Sequence, residues 1–443
     1  MKSVDTLIHA RWVIPVEPAN LVLERHSVAI QGGRIVALLP TDEAKRQFQP
    51  AESLEFASHA LIPGFVNAHT HAAMSLFRGL ADDLPLMDWL QKHIWPAEGK
   101  WVGAEFVRDG TQLAIAEMLK SGTTCFNDMY FFPEVAAHAA QEAGIRAVVG
   151  LIVLDFPSAW AQNADEYLHK GLQLRDGLKH SDLVTMTFAP HAPYTVSDGP
   201  LEKVAMYAEE LRMPVHIHVH ETAHEVEESM SRFGVRPLER LAKLGLLGPR
   251  LIAVHMTQLL AEEMVALATA NASVAHCPAS NLKLASGFCE VGKLIKVGVN
   301  VALGTDGAAS NNNLDMLEEM HLAALLAKGV AGDATAVPAA QALRMATLNG
   351  ARALGLDSEI GSLINGKRAD IAAIDLSGID TLPLYDPLSQ IVYAANRNDV
   401  TDVWVNGRRV LASRRLATLD PVALAAKAAA WRDKILAADR NGN

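Results

Sequence analysis

The stretch Ala60-Leu-Ile-Pro-Gly-Phe-Val-Asn-Ala-His69-Thr-His71 decides how this chain is read. An apolar run ends in two histidines one residue apart, and residues i and i+2 of a strand point to the same face. A buried strand over Leu61–Asn67 would release both imidazoles together at its carboxyl end. Imidazole is a good ligand for zinc and similar divalent ions. In a chain with 17 histidines an H-x-H pair alone is weak evidence, so its weight depends on partners.

Such partners stand at the ends of other apolar runs. Pro214-Val-His216-Ile-His218-Val-His220-Glu221 places three histidines on one strand face, then a carboxylate. Leu251-Ile-Ala-Val-His255, Val299-Asn-Val-Ala-Leu-Gly-Thr305-Asp306 and Phe188-Ala-Pro-His191 end in the same way. Any one of these reads equally well as a polar strand-end residue bonded to a loop. The same pattern at five strand ends is harder to dismiss.

Between residues 60 and 360 short apolar strands alternate with longer helical patterns. The strands are expected at Leu61–Asn67, Thr123–Asp128, Arg146–Val153, Val184–Pro190, Pro214–His220, Leu251–His255, Ser273–Cys277 and Asn300–Thr305. Each is near-continuously apolar, as in a parallel sheet buried on both faces. Amphipathic segments lie between them at Phe106–Ser121, Leu201–Leu211 and Glu262–Ala270. Eight such units predict an α/β (β/α)8 barrel of the TIM type, whose active site sits at the carboxyl ends of its strands. The flanks read as hairpins: Ser27–Leu38 around Gly32-Gly33, and Val400–Val410 around Asn406-Gly407, with another strand at Asp370–Asp375. They predict a small β-sandwich domain built from both chain ends. The expected division is 1–59 for its first part, 60–361 for the barrel, and 362–443 for its second part with a C-terminal surface helix over Pro421–Ala438.

Composition narrows the function classes. A chain of 443 residues that is 50% hydrophobic can bury a large core. A net charge of −11 argues against nucleic acid or an anionic membrane as the main partner. The three cysteines, Cys125, Cys277 and Cys289, have no C-x-x-C spacing and point to neither disulfides nor a thiolate metal site. Met1-Lys-Ser-Val-Asp leads into no signal-peptide run, and no stretch approaches membrane-spanning length. The expectation is a soluble cytoplasmic protein with a small-molecule partner; homo-oligomerisation is left open.

Pro63-Gly-Phe-Val-Asn-Ala-His69-Thr-His71, His218-x-x-Glu221, His255 and Gly304-Thr-Asp306-Gly together resemble the amidohydrolase superfamily, in its one-metal deaminase branch. Met74-Ser-Leu-Phe-Arg-Gly-Leu-Ala-Asp-Asp, His93-Ile-Trp-Pro-Ala-Glu98, Pro190-His191-Ala-Pro-Tyr and His276-Cys-Pro-Ala-Ser-Asn-Leu-Lys-Leu-Ala are similar to the 5-methylthioadenosine/S-adenosylhomocysteine deaminase family. The likeness covers nearly the whole chain, including Gly361-Ser-Leu-x3-Gly-Lys-x-Ala-Asp-Ile. Related chlorotriazine hydrolases and guanine deaminases share much of the frame and form the alternative reading.

The resemblance implies one Zn2+ or other divalent ion held by His69, His71, His218 and Asp306. The family's H-x-x-E spacing to Glu221 selects His218; strand periodicity does not separate it from His216 and His220, which are expected to pack and hydrogen-bond behind the ligands. Two-metal relatives end the fourth strand in a bridging lysine, where this chain has His191. The implied chemistry is hydrolytic deamination of the adenine ring of an adenosine thioether to the inosine analogue plus ammonia. Glu221 would protonate the ring nitrogen, and Asp306 and His255 would take the proton of the attacking water. Glu98 would accept hydrogen bonds from the ribose hydroxyls and His191 would bind substrate near the metal. Trp89 and Trp95 are candidates for an apolar wall, and Ser280, Asn281 and Asn311 for further lining. The sequence does not rank methylthioadenosine, S-adenosylhomocysteine and adenosine.

Overall fold

A computed structural model describes residues 1–440. Two eight-stranded sheets organise them. The first part of the chain gives β1 (Lys2–Val13), β2 (Leu23–Gln31), β3 (Arg34–Pro40) and β4 (Phe48–Pro63). There follow β5 (Phe65–Thr70), β6 (Thr123–Asp128), β7 (Arg146–Val153), β8 (Val184–Pro190), β9 (Val215–Val219), β10 (Leu251–His255), β11 (Ser273–His276) and β12 (Asn300–Leu303). The last strands are β13 (Ile371–Asp375), β14 (Val400–Val405), β15 (Arg408–Ala412) and β16 (Arg415–Leu416).

Strands β5 to β12 lie side by side in sequence order and pair in parallel, the (β/α)8 barrel. Side chains fill its interior and helices cover its outside, so a strand such as Arg-Ala-Val-Val-Gly-Leu-Ile-Val (β7) is buried throughout. The helix Ala104–Lys120 turns Ala114, Ile115, Met118 and Leu119 inward, the face its periodicity predicts. Helices at Asp198–Leu211 and Ala261–Thr269 match the other two amphipathic segments.

The first barrel strand departs from its expected limits. Leu61–Pro63 finish β4 in the other sheet, and the chain crosses between sheets at Gly64 before β5 starts. A Cβ at Gly64 would lie 2.1 Å from Thr124, so only glycine lets the backbone pass. One continuous apolar run serves two sheets, and apolarity carries no mark of the change.

The end sheet runs β16-β15-β14-β13-β4-β1-β2-β3, so both chain ends build it. The β2–β3 turn at Gly32-Gly33 and the β14–β15 turn at Asn406-Gly407 meet: a Cβ on Gly407 would lie 2.7 Å from Gly33. The sheet thus folds over an apolar core that includes Ile8, Val28, Ile30, Ile35, Ile371 and Trp404. A buried ion pair joins it to the barrel floor, Arg146 at the start of β7 donating to Asp370 at 2.9 and 3.2 Å. The C-terminal helix, Pro421–Arg440, packs on the barrel helix Ala104–Lys120. There Trp431 meets Phe106 and donates to Asp109 at 3.0 Å. Among the described residues no helix is long and apolar enough to cross a membrane.

Candidate active site and metal centre

The expected ligands converge because β5 and β12 meet without a ladder of paired residues. The Asn67 side chain spans that seam, accepting from the Thr305 amide at 3.0 Å and donating to the Thr305 hydroxyl at 2.7 Å. The Asp306 amide donates to the His69 carbonyl at 3.0 Å. A Cβ at Gly304 would lie 2.8 Å from the His69 backbone, so glycine permits the close approach. Asp306, His220 and His255 all adopt the left-handed region, with φ of 60°, 54° and 73°. Such strain at non-glycine residues is typical of functional sites. Two of the three, His255 and Asp306, bring their side chains to the cavity at the barrel mouth.

The ligand atoms of His69, His71, His218 and Asp306 all lie within 4.8 Å of one another. Asp306 Oδ1 sits 3.1 Å from His69 Nε2 and 3.2 Å from His71 Nε2. His218 Nε2 is 3.3 Å from His69 Nε2. The far nitrogens have partners of their own. His71 Nδ1 donates to the Met129 carbonyl and His218 Nδ1 to the His191 carbonyl, both at 2.6 Å, and His69 Nδ1 meets His216 Nε2 at 2.8 Å. These bonds fix the rings and turn Nε2 lone pairs inward, toward one carboxylate. Burial pushes His69 down to about 4 and His218 well below its ordinary value, the neutral state a ligand needs. At His71 burial is outweighed by the Asp306 bond and charge, and its pKa rises to about 9. Asp306 itself stays well below the usual carboxylate range despite burial, through the same two histidines. Ring nitrogens converging on one buried carboxylate are what a divalent cation would satisfy. The donor set fits a metal of the zinc type.

The catalytic candidates surround this quartet. His255 Nδ1 donates to Asn281 Oδ1 at 2.8 Å, leaving Nε2 as an acceptor 3.8 Å from Glu221. Burial raises the Glu221 pKa, the nearby Asp306 adds to that, and His255 and His71 oppose it. The Glu221 backbone is held by Glu225, which accepts from the amides of His220 and Glu221 at 3.0 and 2.7 Å. Asp306 Oδ2 accepts from Ser280 at 2.6 Å and Ser310 at 2.7 Å. His191 is fixed by the Thr195 hydroxyl at 2.9 Å, and burial lowers it to about 3. His220 is tied down between Gln258 and Leu238, so it and His216 stand behind the ligands.

Above the strand ends opens a partly enclosed cavity. His71, His191, His218, Glu221, His255 and Asp306 form its floor. Glu98, Trp89 and Trp95 lie on its wall, as expected, with Tyr130. Glu98 is not the solvated helix-start carboxylate its place after Pro96 suggests. Its pKa is raised to about 7 by desolvation, against the pull of the Tyr130 hydroxyl and His71. Three lining candidates fall elsewhere. Ser280 and Asn281 bond Asp306 and His255 from behind, while Asn311 turns to Thr305 and Glu319. Ser310, Tyr130, Tyr194, Phe131 and Phe156 line the cavity and were not foreseen; each lies in a loop without periodicity, and only position past a strand end could have flagged them.

The amidohydrolase family model matches residues 60–410. A 5-methylthioadenosine/S-adenosylhomocysteine deaminase of Saccharophagus degradans is 53% identical over 438 residues, 99% of this chain and 98% of that protein. The crystal structure of an adenosine deaminase from Xanthomonas campestris with bound zinc superposes with a TM-score of 0.98 at 54% identity, covering 98% of this chain and 99% of that one. An atrazine chlorohydrolase from Arthrobacter aurescens, complexed with zinc, superposes at 0.89 over 96% of this chain and 99% of that one, but at 23% identity it shares the fold alone. The chain belongs to the amidohydrolase family and, within it, to the 5-methylthioadenosine/S-adenosylhomocysteine deaminases.

Proposed function

We propose that this chain hydrolytically deaminates the adenine ring of 5-methylthioadenosine, S-adenosylhomocysteine or adenosine, giving the inosine analogue and ammonia. The observation that carries the reading is one cavity with a metal-type quartet, a raised-pKa Glu221 on its floor and Glu98 on its wall. His69, His71, His218 and Asp306 would hold one ion, zinc by preference. Bound there, it supplies Lewis acidity that makes a nucleophile of water near neutral pH.

The remaining steps belong to side chains. Adding water across the C6–N1 bond needs a proton delivered to N1 and one taken from the water. Glu221, pushed toward its protonated form, gives the first. His255 Nε2 and the Asp306 carboxylate are the acceptors for the second, and the Ser280 and Ser310 bonds keep Asp306 oriented. A proton passed to the amino group lets it leave as ammonia. Glu98 would take the ribose hydroxyls, and His191 would contact the base. Three buried, unpaired thiols suit a reducing cytoplasm.

The triazine and guanine readings are not favoured, because those relatives share only the fold and lack the full-length identity seen with the deaminases. The test is steady-state turnover of methylthioadenosine, S-adenosylhomocysteine, adenosine, guanine and a chlorotriazine, with ammonia or chloride release and metal content measured. Turnover confined to the triazine or guanine, or two tightly bound metals per chain, would refute the reading.

A further inference from the structure

The floor and the outer wall of the cavity differ sharply in chemistry. The floor holds the titratable groups, and Glu98 with Tyr130 adds polar atoms midway up the wall. The apolar part of the wall includes Leu86, Trp89, Trp95, Phe131, Leu154 and Phe156, of which Phe156 is exposed at the outer edge. Trp95 and Phe156 pack against each other there, with ring centroids 6.4 Å apart. Among the described residues no lysine or arginine lines this cavity. Nearby cations are engaged elsewhere. Lys92 pairs with Asp88 at 2.9 Å, Lys283 with Asp82 at 2.6 Å, and Lys170 with Glu166 at 2.7 Å, while Lys100 lies over Trp101.

We infer that the outer cavity selects nucleosides with an uncharged, apolar 5′ substituent, a methylthio group above all, and discriminates against the zwitterionic homocysteinyl chain. The inference rests on the deaminase reading proposed above and divides its substrates. With the base on the floor and the ribose at Glu98, the 5′ substituent runs outward along the aromatic wall. A thioether methyl is buried there at no polar cost. A homocysteinyl chain brings an ammonium, which an aromatic face can accept, and a carboxylate. The carboxylate meets no lysine or arginine in the lining, so it stays unpaired or must reach water beyond Phe156. Adenosine places a hydroxyl against the same apolar wall and loses the methyl contact.

The test is kcat/KM of the metal-loaded wild type for methylthioadenosine, S-adenosylhomocysteine, 5′-deoxyadenosine and adenosine. Methylthioadenosine should exceed S-adenosylhomocysteine by at least about tenfold, the scale on which one apolar contact discriminates. Phe156→Arg, at a rim residue 41% exposed, should narrow that ratio by raising turnover of S-adenosylhomocysteine, with Trp95→Arg as the second variant. Wild type that favours S-adenosylhomocysteine, or treats the two alike, overturns the inference while leaving the deaminase intact. A ratio unmoved in both arginine variants overturns it too. Failure to deaminate any of the four nucleosides would sink the deaminase reading and the inference together.

Discussion

Replacing Glu221 by glutamine keeps the shape of the side chain and removes its proton. The backbone there is held by Glu225 and Thr257, so the turn should survive. Glu221→Gln should keep its metal and melting temperature but lose about 10²–10⁴ in kcat, the scale of a general acid–base. Near-normal turnover would mean that the proton comes from elsewhere. Glu98→Ala tests the other carboxyl. Its kcat/KM on methylthioadenosine should fall on the order of 10²-fold, as when hydrogen bonds to a charged group are lost, with little change on a 2′,3′-dideoxy analogue. Equal losses on both would separate Glu98 from the ribose. These residues were legible to different degrees. The H-x-H pair, His255 and Asp306 announced themselves as polar ends of apolar runs. His218 did not, because period two gives His216 and His220 the same claim; the H-x-x-E spacing of the resembling family selected it, and the hydrogen bonds behind the three agree. Ser310 left no trace, since a serine four residues past an aspartate is an ordinary loop residue.

Seven of the eight barrel strands begin within a residue of where their apolar runs start, because a strand buried on both faces must be apolar along its length. The cavity wall was far less visible. Its helical stretch Leu86–Trp101 is interrupted by a π turn over Leu90–Ile94, which blurs the period, and the segment before it is anchored by tertiary bonds. One such bond is made by Lys283, which donates to Asp82 Oδ1 at 2.6 Å, to the Ala309 carbonyl at 3.1 Å and to Asn312. It ties the segment leading into the wall to the loop beyond Asp306. Lys283→Met should raise KM about fivefold, the equivalent of roughly 1 kcal/mol for a partly exposed pair, with kcat nearly unchanged. Asp82→Asn should do the same, and the double variant should be no worse than either single. A fall in kcat without a change in KM would show that the latch acts on the floor instead.

At the scale of the whole molecule the two sheets are joined on the side away from the cavity. Arg146 opens β7, so its contact with Asp370 lies at the amino-terminal face of the barrel, opposite the strand ends that carry the site. Asp370 also accepts the Asn406 amide at 2.7 Å, which makes the pair a junction of barrel, β13 and the β14–β15 turn. Arg146→Met leaves a buried carboxylate without its cation and should cost about 3–5 kcal/mol of stability. Turnover well below the lowered melting temperature should stay near wild type. Lost activity at unchanged stability would mean that the floor and the mouth of the barrel are coupled.

The seam between β5 and β12 makes ring closure and ligand spacing a single mechanical coordinate. Asn67 and the Asp306 amide stitch it, and the same two strands carry His69 and, just past its end, Asp306. Any breathing of the ring at that point pulls donors apart within a few ångströms of the stitches. A descendant of this chain that let the seam slacken would therefore lose its grip on a cation while its fold was still intact. Losing the fold first and the grip second is a route the architecture does not offer.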